Sequence, residues 1–245
     1  GIQGNANVGD IQAARRTLGE AEKLVARLSK IDPDGPDSLH EAAVLERYLA
    51  LTFLYEADYV PAREHARRAV DLAERAVKIR PDFQAREDLA DTPRTLANCT
   101  DSAEEFARSQ AIYESLLRER PDESRVLRNL SQVYKYAAGL HYQKGDERPG
   151  LDLIARAHAI DEKLLAADPQ DPQAQDDLSF SLNQLSWGYS KLGDLTAALA
   201  ASERSLAMRE RIVAQNPGEA RAQERVGYVL RAIALLLPNG GEPAV

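Results

Sequence analysis

The chain has 245 residues, of which 44% are hydrophobic and only 6% aromatic, and its net charge is −8. An acidic protein repels phosphate backbones, so we expect no nucleic-acid partner. No apolar run reaches the length of about 18 residues that crosses a bilayer, so we expect no membrane insertion. The single cysteine, Cys99, excludes an internal disulfide.

Five prolines recur along the chain at intervals of 48, 40, 48 and 48 residues. They are Pro33, Pro81, Pro121, Pro169 and Pro217. Twenty-three residues before each proline stands an Asp or Asn, a residue type whose side chain caps the free N–H groups of a helix's first turn. These predicted N-caps are Asp10, Asp58, Asn98, Asp146 and Asp194. Two independent signals therefore share one period, which predicts a repeat array.

Each repeat holds two helices. The segment from a proline to the next cap is the first helix, called A, and the segment from that cap to the next proline is the second, called B. The predicted A helices cover residues 38–56, 83–97, 122–143, 172–192 and 219–237. The short A segment 83–97 contains Pro93, so we expect this helix to be kinked or broken.

Aligned positions in the B helices repeat as well. The fourth residue after each cap is small, and the fourteenth is Leu, Ile or Met. The eighteenth is aliphatic in every repeat: Leu28, Ala76, Leu116, Leu164 and Ile212. Steps of this size keep the residues on one helical face, which predicts the side that packs on neighbouring helices.

One helix pair carries an ordered set of side chains: Leu182, Leu185, Ser186, Tyr189, Gly193, Asp194 and Ala198. This order resembles the tetratricopeptide repeat (TPR) family, with Ser186 in place of the usual glycine. The 48-residue spacing exceeds the usual period of about 34 residues, as in the long TPR arrays attached to bacterial serine/threonine kinases.

The resemblance implies an all-α fold, a right-handed α-solenoid of about ten helices in antiparallel pairs. We expect residues 1–237 to form one array and residues 238–245 to be a disordered tail. The resemblance also implies a non-catalytic module for protein–protein interaction, the scaffold or sensor part of a larger bacterial signalling protein. A catalytic domain such as a protein kinase would lie outside this fragment. A cytoplasmic location is favoured, or an extracytoplasmic one if the parent protein has a transmembrane segment.

Catalytic signatures are missing from the sequence. The four histidines lie in different repeats without a metal-ligand spacing, and no nucleophile or phosphate-loop motif occurs. We therefore expect no catalytic residue, no metal and no cofactor.

The TPR register predicts which A-helix side chains line a concave groove. They are Arg47, Tyr55, Lys135, Tyr142, Gln143, Asn183, Trp187, Lys191, Tyr228 and Arg231. Glu87 takes the Arg47 position in the short helix. Basic and amide groups beside aromatic rings suit an acidic peptide. We expect charge reversal of Lys135 and Arg231 to abolish binding without changing stability.

Two alternatives remain open at this level. The groove side chains could be ordinary solvated groups and packing aromatics. The array could instead be structural and self-associate through its end helices, which carry apolar faces over residues 18–28 and 226–237.

Overall fold

A computed structural model describes residues 11–215, 218 and 220–237, and every regular element in these residues is an α-helix. The ten helices are α1 (Ile11–Ile31), α2 (Pro36–Tyr55), α3 (Tyr59–Ile79), α4 (Phe83–Thr100), α5 (Ala103–Glu119), α6 (Ser124–Gln143), α7 (Glu147–Ala167), α8 (Pro172–Lys191), α9 (Leu195–Gln215) and α10 (Ala220–Leu236). The predicted all-α fold is confirmed. The predicted tail, 238–245, lies outside the described residues.

Residue contacts divide the chain into two compact units, Gly1–Val133 and Tyr134–Val245, here called the N-terminal unit and the C-terminal unit. In the N-terminal unit each of α1 to α4 packs on the next helix, and α2 also contacts α4. In the C-terminal unit α7 packs on α8, α8 on α9 and α9 on α10. Packing between sequence neighbours is the pattern of an α-solenoid.

Most predicted boundaries are accurate because local signals determine them. The bounds of α2, α6, α8 and α10 lie within two residues of the predicted A helices. Gly145 and Gly193 adopt φ values of 77° and 81°, which side chains with a Cβ avoid. Asp194 then caps α9, since its Oδ1 accepts the N–H of Ala197 at 3.0 Å.

The predicted cap Asn98 is wrong. α4 continues to Thr100, Asp101 ends it at φ 54°, and Ser102 caps α5 by accepting the N–H of Glu105. The pair is therefore shortened in both helices, to 18 and 17 residues, and not in its A helix alone. Ser102 and Glu105 have the spacing of a capping box, a signal that the Pro121 count overrode.

The predicted break at Pro93 is also wrong, because α4 runs through it without interruption. Proline lacks the N–H group that would bond to the carbonyl of Leu89. The hydroxyl of Thr92 donates to that carbonyl instead, at 3.0 Å. The Pro93 ring is fully buried, so apolar packing also offsets the lost backbone bond.

Small residues let the helices approach closely. The core of the N-terminal unit contains Ala50, Ala62, Ala66 and Cys99. Burial raises the pKa of the Cys99 thiol to about 11, as expected for an unreactive structural cysteine.

Candidate partner-binding surface

One face of α8 carries Phe180, Asn183, Trp187 and Lys191, here called the α8 stripe. These residues are spaced at i, i+3, i+7 and i+11, which places them on the same side of the helix. Phe180 is 44% exposed and Trp187 is 37% exposed, although both are large apolar side chains. Asn183 is half-buried and Lys191 is exposed. The stripe thus presents two aromatic rings and a cation to solvent.

Trp187 is held between neighbours on both sides. The ring of Tyr142 from α6 packs edge-on, with 4.3 Å between ring centroids and an interplanar angle of 60°. The ammonium of Lys191 lies 5.2 Å from the Trp187 ring centroid, within cation–π range. The structure therefore brings three predicted groove residues, Tyr142, Trp187 and Lys191, into contact.

Two glycines make room for Tyr142. A Cβ at Gly150 would lie 2.4 Å from Tyr142 Cε1, and one at Gly188 would lie 2.7 Å from Tyr142 Oη. Burial, followed by the charges of Asp152 and Glu147, raises the pKa of Tyr142 to about 12. The ring is thus wedged between α7 and α8, where it supports Trp187.

Lys135 does not present its charge to the surface. Its side chain is 7% exposed, and its Nζ lies 2.8 Å from Oδ2 of Asp161 on α7. Nζ also donates to the carbonyl of Asp177 at 3.2 Å. It lies 5.7 Å from the ring centroid of Phe180, beneath the stripe. The ammonium is therefore committed to internal carboxylates, and a charge reversal at Lys135 cannot leave stability unchanged.

Arg47 is likewise used inside the N-terminal unit. Its side chain is 13% exposed, with Nη2 3.9 Å from Asp91 Oδ2 and the guanidinium 4.5 Å from the Tyr48 ring centroid. With Ser102 as the true cap, Asp91 occupies the register position that the sequence assigned to Glu87. Glu87 is buried and pairs with Arg125 at 2.5 Å.

Other predicted groove residues are exposed without forming a cluster. Gln143 ends α6 next to Tyr142, and Tyr228 and Arg231 lie on the surface of α10. Tyr55, 56% exposed, belongs to the N-terminal unit. No described contact joins Tyr228 or Arg231 to the α8 stripe.

Sequence reasoning missed Phe180, which is exposed on the same face as Trp187. The signal was available, because a spacing of seven residues returns to one helical face. Tyr48 and Tyr136 are further exposed aromatic residues on A helices that were missed.

Charge is unevenly distributed within the C-terminal unit. No Asp or Glu occurs between Asp177 and Asp194 on α8, or between Tyr134 and Gly145 on α6 and its following turn. The B helices hold many carboxylates, namely Glu147, Asp152, Asp161 and Glu162 on α7 and Glu203 and Glu210 on α9. The A-helix surface is therefore locally basic within an acidic protein.

Within the described ranges, no group of three or more His, Cys, Asp or Glu side chains could hold a metal ion. None of the described helices is both long and apolar enough to cross a membrane.

No protein-family model matches the sequence, and no curated protein sequence matches it. Among solved structures, the chain is similar to BtubC (BKLC) from P. vanneervenii, with 19% identity, a TM-score of 0.58, and coverage of 94% of this chain and 85% of that one. A thermophilic TPR protein from Thermus thermophilus matches at 16% identity and a TM-score of 0.42, covering 90% and 97% of the two chains. The C-terminal part of a TPR repeat-containing protein from Cytophaga hutchinsonii matches at 14% identity and a TM-score of 0.34, covering 88% and 98%. The first of these similarities, together with the helix pairs described above, identifies the fold as a TPR-like helical-repeat array.

Proposed function

We propose that the chain is a protein-interaction module whose C-terminal unit binds an acidic protein segment along the α8 stripe. The observation that carries this proposal is the pair of exposed rings, Phe180 and Trp187, on a helix face without carboxylates. Seven residues of helix separate the rings by about 10 Å along the axis. This spacing suits a partner with two apolar anchor residues flanked by Asp or Glu.

The energetics of such a contact follow from the supporting residues. Tyr and Trp supply large contact areas and lose little conformational entropy, which is why they dominate interface energies. Tyr142 already restricts the Trp187 ring, so binding orders it at a smaller entropic cost. Lys191 and Gln143 are exposed and can bond to carboxylates of the partner. Exposed charges of this kind contribute more to association rate and specificity than to affinity.

We further propose that this module is the scaffold or sensor part of a larger bacterial signalling protein, with any catalytic domain outside this sequence. The TPR-like fold and the resemblance of its 48-residue spacing to kinase-associated arrays support this role. The buried Lys135 and Arg47 remove two cations from the predicted binding row. The proposal therefore moves the basic contribution to Lys191.

Trp187 provides the test, because it is the chain's only tryptophan and its fluorescence reports on the α8 stripe. Peptide pools of equal length and apolar content, carrying Glu, Gln or Lys at their variable polar positions, are titrated into the protein. We expect a saturable emission change with the Glu pool that weakens at high salt, because ions screen exposed charges. An equal response to the Lys pool would refute an acidic partner.

A matched pair of charge reversals locates the site. Lys191→Glu should weaken binding of the Glu pool about fivefold to tenfold, as a contribution of ~1 kcal/mol predicts. Arg211→Glu makes the same charge change at an exposed position on α9 and should leave binding within about twofold. Equal losses in both variants would show attraction to the net charge of the protein, and the α8 assignment would fail.

Self-association is a second candidate function, favoured by apolar side chains exposed on α1 and α10. Leu24 and Ile31 are 62% and 82% exposed, and Leu230 and Leu235 are 49% and 82% exposed. Exposed apolar patches often mark interaction surfaces. Sedimentation velocity over a wide concentration range tests this function. A mass that rises with concentration, and returns to monomer in a Leu24→Glu and Leu235→Glu double variant, would support it; a constant monomer mass would exclude it.

A further inference from the structure

The N-terminal unit contains a small cavity between α2, α3 and α4. Its volume is about 60 Å³, and it opens to solvent past polar side chains. Four alanines line its apolar part: Ala43, Ala73, Ala76 and Ala85. The remaining lining residues are Pro36, His40, Arg80, Gln84 and Asp88. The cavity thus combines an apolar floor with a charged rim.

The sequence of α3 explains why this space is empty. The position eight residues before each repeat proline is Val25, Ala73, Tyr113, Asp161 or Arg209 along the chain. The position five residues before it is Leu28, Ala76, Leu116, Leu164 or Ile212. Only α3 has alanine at both positions. The cavity therefore occupies space that larger side chains take in the other B helices, and it is specific to this repeat.

The rim is held by hydrogen bonds that leave two donors available. Asp88 is the only carboxylate in the lining, and it accepts Gln84 Nε2 at 2.9 Å and lies 2.9 Å from His40 Nδ1. Arg80 Nη2 donates to Asp37 at 2.7 Å, and its Nε lies 3.1 Å from Asp82. His40 Nε2 and Arg80 Nη1 have no protein partner within the described part of the chain, so the free capacity of the rim is cationic.

We propose that this cavity binds a short aliphatic carboxylate, a free acid anion with a tail of two or three carbons. An apolar cavity of about 150 Å³ accommodates the six carbons of benzene, so about 60 Å³ fits a tail of this length. The tail would lie on the alanine floor, and the carboxylate would accept hydrogen bonds from His40 and Arg80. Ala43, Ala73 and Ala76 are only 2%, 3% and 4% exposed, which a polypeptide backbone cannot reach but a small anion can.

The protonation of His40 is linked to this binding. Its hydrogen bond to Asp88 raises the pKa of His40, against the opposing effects of burial and of the charge of Arg80. A carboxylate between the two cations offsets their mutual repulsion, so the anion binds the imidazolium form in preference. Affinity for the anion should therefore fall as the pH rises through the pKa of His40.

Propionate is the probe, titrated into protein with ¹³C-labelled alanine methyl groups and followed by NMR. We expect saturable shifts of the Ala73 and Ala76 methyl signals. Propylamine and 1-propanol, which have the same tail without the negative charge, should bind at least about tenfold more weakly. Equal binding of propylamine, or no saturable shift with propionate, would overturn the proposal.

Two variants separate the cavity from its rim. Ala76→Leu introduces the side chain found at this position in α5 and α7, and should abolish the propionate shifts while helicity is kept. Arg80→Gln leaves the cavity open and should weaken propionate binding about tenfold. Unchanged binding in either variant would refute the assignment, and Arg80→Gln remains decisive even if Ala76→Leu folds poorly. Neither result depends on the α8 stripe, so the proposed function stands or falls separately.

Discussion

Replacing Lys135 by Met tests whether its charge stabilises the fold. The Nζ of Lys135 lies 2.8 Å from Oδ2 of Asp161, whose side chain is 1% exposed. Methionine keeps the aliphatic body of the side chain but leaves the buried carboxylate without this cation. Loss of one partner of a buried ion pair costs about 3–5 kcal/mol. At about 2–4 °C per kcal/mol for a protein of this size, Tm should fall by ~6–20 °C.

Urea unfolding provides the free-energy measurement. Trp187 fluorescence follows the C-terminal unit, where Lys135 lies, and far-ultraviolet circular dichroism follows the whole chain. Lys191→Met is the matched control, because Lys191 is exposed and should contribute less than about 0.5 kcal/mol. The Lys135→Met variant should therefore unfold at a clearly lower urea concentration than the control.

A double variant separates the pair from the site. Lys135→Met with Asp161→Leu removes both charges and should recover most of the lost stability, because no buried charge is left unpaired. A loss below about 1 kcal/mol in Lys135→Met would refute the reasoning, since it would mean that water already solvates the ammonium. A double variant as unstable as the single one would place the effect in packing instead.

Two further predictions concern the packing of Tyr142 and the buried carboxylate of Asp91. Gly150→Ala should destabilise the C-terminal unit by about 1–3 kcal/mol in urea unfolding, because the new Cβ would meet the Tyr142 ring at 2.4 Å; Tyr142→Phe, which removes a hydroxyl without a hydrogen-bond partner in the described structure, should change little, and a harmless Gly150→Ala would contradict the packing. Burial acts to raise the pKa of Asp91, but Arg94 and then Arg47 hold it below its usual value. The ionised form is thus favoured by folding, so its contribution is complete above about pH 3.9 and is lost as the pH falls through the lower folded pKa. The stability difference between wild type and Asp91→Asn should therefore shrink from pH 5 towards pH 2, and a difference independent of pH would contradict this prediction.

The helical framework was predictable because its signals are local. Gly145 and Gly193 are needed where the backbone adopts positive φ, and Asp194 caps the helix that follows. Such effects involve residues only a few positions apart, so the sequence contains them directly. The error at Asn98 arose from relying on a constant distance to Pro121 over the capping box that begins at Ser102.

The candidate site was predictable only in part. Tyr142, Trp187 and Lys191 were assigned to one surface from the TPR register, and the structure brings them into contact. The availability of Lys135 could not be predicted, because its carbonyl acceptor on Asp177 lies 42 residues away along the chain. A register states which face of a helix a residue occupies, but not which charges approach it from other helices.

The sequence alone determined ten helices, their repeat period and the prevalence of small residues at helix contacts, because hydrogen bonding and hydrophobic periodicity act over short distances. Tertiary structure decided which members of each aligned position are buried, paired or exposed. Lys135 and Lys191 are both lysines on A helices, yet one is 7% exposed beside Asp161 and the other is in solvent. The cavity over Ala73 and Ala76 is likewise visible only when three helices are packed together, since an unfilled volume is a property of the space between them.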